Sequence, residues 1–419
     1  MGFCFVHAAD LHLDSPLRGL ARYEGAPVAE VRGATRRALE NLVQLCLEEN
    51  ARFLLLAGDL YDGEWRDYST GLFFGHQMAR LRETGTRVIW IRGNHDAQSK
   101  LTRHLALGEH CIELGSRRPE TQVLEDVQVA VHGQGFASAA VTEDLSANYP
   151  EPLRGMLNIG LLHTALSGRP GHAAYAPTDV RALVARGYDY WALGHVHKRE
   201  VVHREPHVVF PGNLQARHVR ETGPKGATLV RVENGSIASV EHRSLDLVRF
   251  ALLELSAVEA QSVGDLAELA KRAFAEALVE AEGRLLAARV SVVGRSHAHA
   301  EMAADLERVR AQIQTAANDL SAGDVWVEDV RLHSQLPLDL VSLRKRDDAI
   351  GHLVSALERS MDDPETALLL SDDLAELSKA LPAEVRAEAL DLDLRDEQQA
   401  RELLHSVGQL LLPRLVGSV

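Results

Sequence analysis

The chain has 419 residues, 46% of them hydrophobic and 25% charged, with a formal net charge of −15. That is the composition of an ordinary soluble globular protein, and the length predicts two or three domains rather than one. No apolar run approaches the ~18 residues that would cross a bilayer. The opening MGFCFVHAAD lacks the basic-then-apolar order of a secretory signal. Three scattered cysteines, Cys4, Cys46 and Cys111, are too few for a disulfide framework or a thiolate metal site. A cytoplasmic location with no membrane partner is the expectation.

The charge is unevenly placed. Residues 1–250 hold 28 Lys and Arg against 29 Asp and Glu, while residues 251–419 hold 17 against 31. The acidic second part therefore reads as solvated helix surface rather than as a face for a phosphate polymer.

From the N-terminus one arrangement recurs: a short apolar run stops at a polar cluster. Phe3–Ala9 ends at Asp10, Phe53–Ala57 at Gly58-Asp59, and Val88–Ile91 just before Gly93-Asn94. Ile159–Leu162 ends at His163-Thr164, and Tyr190–Leu193 at Gly194-His195. Runs apolar on both faces predict buried central strands, covered by helices such as Val31–Glu49. In layered α/β folds, ligands sit beyond the carboxyl ends of the strands. Val208–Pro211 and Ala227–Val232 read as further strands around the polar loop GNLQARHVRETGPKG. Beyond about residue 245 the predicted strands are Leu252–Val258, Ala287–Val293 and Val325–Leu332, with helices over Asp265–Leu278 and Met302–Ala316 between them. This makes a small β-α-β-α-β unit. From Pro337 onward the chain reads as helical and acidic, with Ile350, Leu353, Val354 and Leu357 on one helical face and acidic pairs at Asp362-Asp363 and Asp372-Asp373. There is no P-loop sequence.

The strand ends collect Asp10-Leu11-His12, Gly58-Asp59, Gly93-Asn94-His95-Asp96, His163 and Gly194-His195-Val196-His197. One histidine at a strand end is ordinarily a hydrogen-bonded structural residue. Five polar clusters in series, each at a strand end, predict a functional site. Oxygen and imidazole donors without sulfur suit manganese, iron or zinc. Two carboxylates, one amide and four imidazoles exceed what a single ion takes. Two ions about 3.5–4 Å apart, sharing a carboxylate, would use them all, clamp a phosphoryl group and lower the pKa of a bridging water.

The series DLHLD, GDLYD, GNHD, His163 and GHVH resembles the five-block signature of the calcineurin-like metallophosphoesterases. FVHAADLHLDSPL and PGNLQARHVRETGPKG are similar to the bacterial DNA-repair exonucleases of the SbcD type, in the YhaO branch. The resemblance covers roughly residues 1–240. It implies that one ion is held by Asp10, His12 and His197 and the other by Asn94, His163 and His195, with Asp59 bridging them. It implies that His95 is not a ligand but meets the scissile phosphate as an acid. Some nucleases of the family carry a second histidine three residues after the bridging Asp; that position is Asp62 here.

The remaining polar residues take plainer readings. Asp96 forms the turn or orients a neighbouring ring, and His7 is a core histidine. HAHAE at His297–Glu301 is a solvated turn, and RKRDD at Arg344–Asp348 is helix surface. Asn213, Arg217 and His218 lie on a polar loop, where Arg217 is a candidate DNA contact.

The expected architecture is an α/β fold in three segments. A layered β-sandwich metallophosphoesterase core flanked by helices occupies 1–244, a small α/β cap 245–336 and a helical region 337–419, which docks a partner or packs on its own core. The expected function is that of a manganese-dependent DNA exonuclease or endonuclease with two divalent ions, acting in DNA repair with an SMC-like ATPase. A homodimer is left open. The alternatives are a phosphoesterase on a small nucleotide or phosphoprotein, and a metal-bound scaffold without turnover.

Overall fold

The computed structural model describes residues 2–15, 28–62, 69–98, 107–166, 175–321, 323–337 and 340–363. By compactness the chain divides into two units. The first comprises Met1–Leu252, Phe274–Arg289 and Ser321–Glu328, and the second Leu253–Ala273, Val290–Leu320 and the described residues from Asp329 on.

The first unit is built on two six-stranded sheets. One sheet contains β1 (Phe3–Ala8), β2 (Phe53–Ala57), β3 (Arg87–Ile91) and β4 (Cys111–Glu113), extended beyond β1 by β11 (Gly226–Glu233) and β12 (Ser236–Ser244). The second runs β5 (Glu120–Leu124), β6 (Val129–Gly133), β7 (Leu157–His163), β8 (Tyr190–Gly194), β10 (His207–Phe210), β9 (Glu200–Arg204). The pairs β1–β2, β2–β3, β6–β7 and β7–β8 are parallel, so their carboxyl ends share one edge of each sheet.

The unbroken apolar runs have a simple cause: both strand faces are buried. Phe5, Phe53, Leu55, Ile89 and Ile91 point into the core between the sheets, where they meet Val131, Ile159, Leu161 and Ala192. The alternate residues Val6, Leu54, Leu56, Val88 and Trp90 face outward, against Ala38, Leu42, Phe74 and Met78 of α1 (Val28–Glu48) and α2 (Ser69–Glu83). Each large apolar side chain buried this way contributes about 1.5–3 kcal/mol. His7 lies on the inner face and is fully buried. Its Nε2–H donates to the Leu193 carbonyl at 3.1 Å, and its Nδ1 accepts from the Tyr190 hydroxyl at 3.1 Å. Burial pushes it down to about 3, so it stays neutral. It is the core histidine that the sequence suggests.

The strands read from sequence are present with shifted ends. Val248–Ser256 (β13) begins earlier than the predicted Leu252–Val258; it forms a three-stranded sheet with β14 (Leu285–Arg295) and β15 (Val325–Gln335). The single helix expected over Met302–Ala316 is two, His299–Ala304 and Leu306–Leu320. Asp305 breaks it: its side chain accepts from the Arg308 amide at 2.9 Å and caps the second helix. HAHAE is not a solvated turn throughout. His297 is exposed, but His299 starts a helix, is buried and pairs with the Ser334 hydroxyl at 3.0 Å.

In Ala349–Asp362 the expected apolar stripe is split, because Val354 is buried while Leu353 is exposed. The side chain of Leu357, and all residues from 364 on, including Asp372-Asp373, lie outside the described residues. Among the described residues no helix is long and apolar enough to cross a membrane.

The tips of the two sheets come into contact at Gly194, where a Cβ would run into the carbonyl oxygen of Ala57. Gly194→Ala is therefore expected to push the tips apart and lower the free energy of unfolding by about 1–3 kcal/mol. Urea titration checks this, and an unchanged midpoint would show that the tips are not in contact.

Candidate metal centre

Every cluster singled out from the sequence lies at this shared edge. Asp10 and His12 follow β1, Asp59 follows β2, and Asn94 opens the short helix Asn94–Gln98 after β3. His163 ends β7, and His195 and His197 follow β8. The backbone must turn sharply to present them. Asp10, His12, Asp59 and His195 have φ of 52°, 42°, 53° and 95°, in the left-handed region that L-residues rarely adopt. Such conformations persist only where surrounding contacts over-determine them. Gly93 makes room for one of those contacts, since a Cβ there would collide with the Asp59 carboxylate.

Three groups of donors emerge among the described residues, and two of them consist of residues expected as ligands. Asp10, His12 and His197 each offer an atom within 4.8 Å of the others, as do Asp59, His163 and His195. In the first group, Nε2 of His12 and Nε2 of His197 are 3.2 Å apart. Nδ1 of His12 is buried with no hydrogen-bond partner among the described residues. The Asp10 carboxylate accepts from the His195 amide at 2.9 and 3.1 Å, which ties the two groups together.

In the second group, Nδ1–H of His163 donates to the Ala57 carbonyl at 2.8 Å, which leaves Nε2 as the inward-facing nitrogen. That nitrogen lies 3.0 Å from Asn94 Oδ1 and 3.4 Å from Asp59 Oδ2. Three lone pairs thus converge on one point in a buried, low-dielectric place. Such a point suits a cation, either a proton or a metal ion, and the oxygen-and-nitrogen donor set fits a divalent ion.

The electrostatics carry the same demand. Burial pushes Asp10 up to about 6, against the pull of His197 and His163. Burial would raise Asp59 as well, but the ion pair and hydrogen bond with His163 hold it far below the usual carboxylate range. His163 is pushed up to about 9: burial opposes its charge, and Asp59 and Asp10 overcome that opposition. Burial, then the nearby Arg217 guanidinium, drives His12 well below its ordinary value.

Asp96 is buried and belongs to neither group. Its carboxylate accepts from the amides of Gly93, Leu60 and Tyr61 at 3.0–3.2 Å, so it locks the loops after β2 and β3 together. Burial and then the Asp59 charge push it up to about 7. It is the turn former of the sequence reading.

His95 stands at the rim, and its side chain is 34% exposed while Asp10, His12, Asp59 and His163 behind it are buried. Its Nδ1 lies 2.8 Å from Asp62 Oδ1, and the hydrogen bond to Asp62 raises it above the ordinary histidine value. Asp62 also accepts from Ser15 Oγ at 2.5 Å and Arg217 Nη1 at 3.1 Å. His12, Asp62 and His95 also have atoms within 4.8 Å of one another, so the rim adjoins the first group.

Sequence reasoning noted Asp62 only as a departure and did not see Glu221, whose Oε1 is 2.6 Å from Nδ1 of His197. Position three after Asp59, and an acid inside the polar loop after β10, were the signals available. Asn213, read as a loop residue, is fully buried beside Glu221.

The calcineurin-like phosphoesterase family matches residues 4–199, and the middle domain of metallophosphoesterase YhaO matches residues 250–335. The chain is 37% identical over 276 residues to the "Uncharacterized metallophosphoesterase YhaO" of Bacillus subtilis, a match covering 65% of this chain and 67% of that protein. It is 26% identical over 290 residues to the DNA double-strand break repair protein Mre11 of Methanopyrus kandleri, covering 61% of this chain and 58% of that one. It is also 25% identical over 299 residues to a component of the nuclease SbcCD of Escherichia coli, covering 61% and 72%. The chain belongs to the calcineurin-like phosphoesterases, metal-dependent phosphoester hydrolases that use divalent ions. Within that family it is a relative of YhaO.

A pH dependence follows from His163. Its proton stabilises the metal-free fold fully below 6.5, and that contribution is lost as pH rises through about 9. Ligation needs the same nitrogen deprotonated, so metal affinity rises over that window. The Tm of the EDTA-treated chain is expected to fall between about pH 6.5 and 9, while the rise in Tm on adding a divalent ion grows. A metal stabilisation that shrinks with rising pH would contradict this.

Proposed function

We propose that the chain is a manganese-dependent DNA phosphodiesterase that holds two ions and works with an SMC-like ATPase. The observation that carries this reading is the rim: a partly exposed His95, tied to Asp62, beside two largely buried donor groups that the bond from the His195 amide to Asp10 joins. The DNA substrate is supported by the names of two relatives, a double-strand break repair protein and a nuclease component.

On this reading Asp10, His12 and His197 hold one ion, Asn94, His163 and His195 the other, and Asp59 contributes to both. Two divalent ions held there supply a clamp for the phosphoryl oxygens and lower the pKa of a water between them. His95 holds a proton at the edge where the leaving oxygen departs, with Asp62 fixing its ring. Arg217, 18% exposed and already bonded to Asp62, orients this pair and is a candidate contact for a DNA phosphate.

Manganese-loaded chain is expected to degrade linear duplex DNA as well as bis-p-nitrophenyl phosphate, with circular single-stranded DNA separating end-dependent from internal cleavage. Hydrolysis of the small diester or of nucleotides without any cleavage of DNA would favour a small-substrate phosphoesterase instead.

Two substitutions separate ligand from acid. Asp59→Ala should abolish turnover and reduce metal content. His95→Asn should lose about 10²–10⁴-fold in kcat and keep both ions. Elemental analysis decides, and an ion missing from the His95 variant would make that residue a ligand.

The sequence has no P-loop, so any ATP dependence comes from such a partner, and the candidate docking surface is segment 337–419. Removing that segment should leave hydrolysis of the small diester intact and eliminate co-purification with the ATPase. Undiminished binding by the truncated chain would move the docking surface elsewhere.

A further inference from the structure

Glu221 stands behind the metal centre rather than in it. Its carboxylate is 8% exposed and fully engaged. Oε1 accepts from Nδ1–H of His197 at 2.6 Å, while Oε2 accepts from Asn213 Nδ2 at 2.9 Å and from the Arg217 amide at 2.7 Å. A carboxylate can only accept, so the proton of His197 is fixed on Nδ1. Nε2 is then the nitrogen turned toward His12 and Asp10. Lys225 holds the backbone of the same residue, donating from Nζ to the His197 carbonyl at 3.0 Å.

The second donor group is supported differently. There the outer nitrogen of His163 meets the backbone carbonyl of Ala57, a neutral acceptor. A charged acceptor behind an imidazole raises the basicity of its other nitrogen more than a neutral one does, and fixes the ring more firmly.

We infer that Glu221 is a positioning residue that sets the tautomer and tilt of His197, and so the ion affinity of the Asp10–His12–His197 position alone. This rests on the two-ion reading above. Through Asn213 and the Arg217 amide, the same carboxylate shapes the loop from Asn213 to Glu221. One buried acid thus serves both an inner ligand and the segment that carries Arg217 to the rim.

The test is a calorimetric titration of Mn²⁺ into the metal-free full-length chain and its Glu221→Ala variant, without substrate. The wild-type chain should bind two ions. In the variant one step should weaken about 10–100-fold while the other keeps its affinity. The retained step also shows that the variant is folded, and ¹⁵N imidazole spectra should show His197 losing its Nδ1–H tautomer. Two unchanged steps, two steps that fall together, or an unchanged His197 tautomer would overturn the role of Glu221. A wild-type chain that binds a single ion would instead overturn the two-ion reading, and this assignment with it.

Discussion

Three carboxylates with almost no exposed surface lie beyond the ends of apolar strands, and the surroundings are arranged to neutralise them. Asp10 and Asp59 come just after theirs, and Asp96 lies in the short helix after β3. An isolated carboxylate in such a place carries a large desolvation penalty unless it is paired or hydrogen-bonded. Asp96 meets the demand with backbone amides drawn from two loops. Asp10 takes the His195 amide, and Asp59 takes the His95 amide at 2.9 Å together with His163. Amides alone cannot supply full positive charge, so the imidazoles, or a bound cation, complete the balance. The left-handed backbone at Asp10, His12, Asp59 and His195 is the conformational cost of placing these groups tip to tip.

Around this centre most of the candidate ligands are closed off, His197 being the more open one at 18%. The outer nitrogens of two of them are oriented by fixed acceptors, Ala57 O for His163 and Glu221 for His197. His95, Asp62 and Arg217 are partly open and linked to one another, so a substrate phosphate can approach that side. Arg217 adds a guanidinium to this rim.

Much of the site was legible because residue type and strand end coincide. A run such as Phe53–Ala57 announces a strand buried on both faces, and a carboxylate two residues later, Asp59, breaks with that apolar pattern. What escaped reading has physical causes. The strands β5 and β9 lie at sheet edges, half exposed and rich in polar residues, so they carry no clean apolar signal. Glu221 and Asp62 matter through single distances to residues 24 and 33 positions away, which no local pattern encodes. His299 looked like part of a solvated tract until Ser334, 35 residues on, supplied its partner.

On the proposed reading, the two donor groups hold two ions close enough to share Asp59. Electron paramagnetic resonance of the chain loaded with two equivalents of Mn²⁺ tests it most directly. Ions about 3.5–4 Å apart are exchange-coupled, and the spectrum should show the hyperfine splitting of a coupled pair, roughly half that of a lone ion. Two independent six-line signals, each with the splitting of an isolated Mn²⁺, would contradict it.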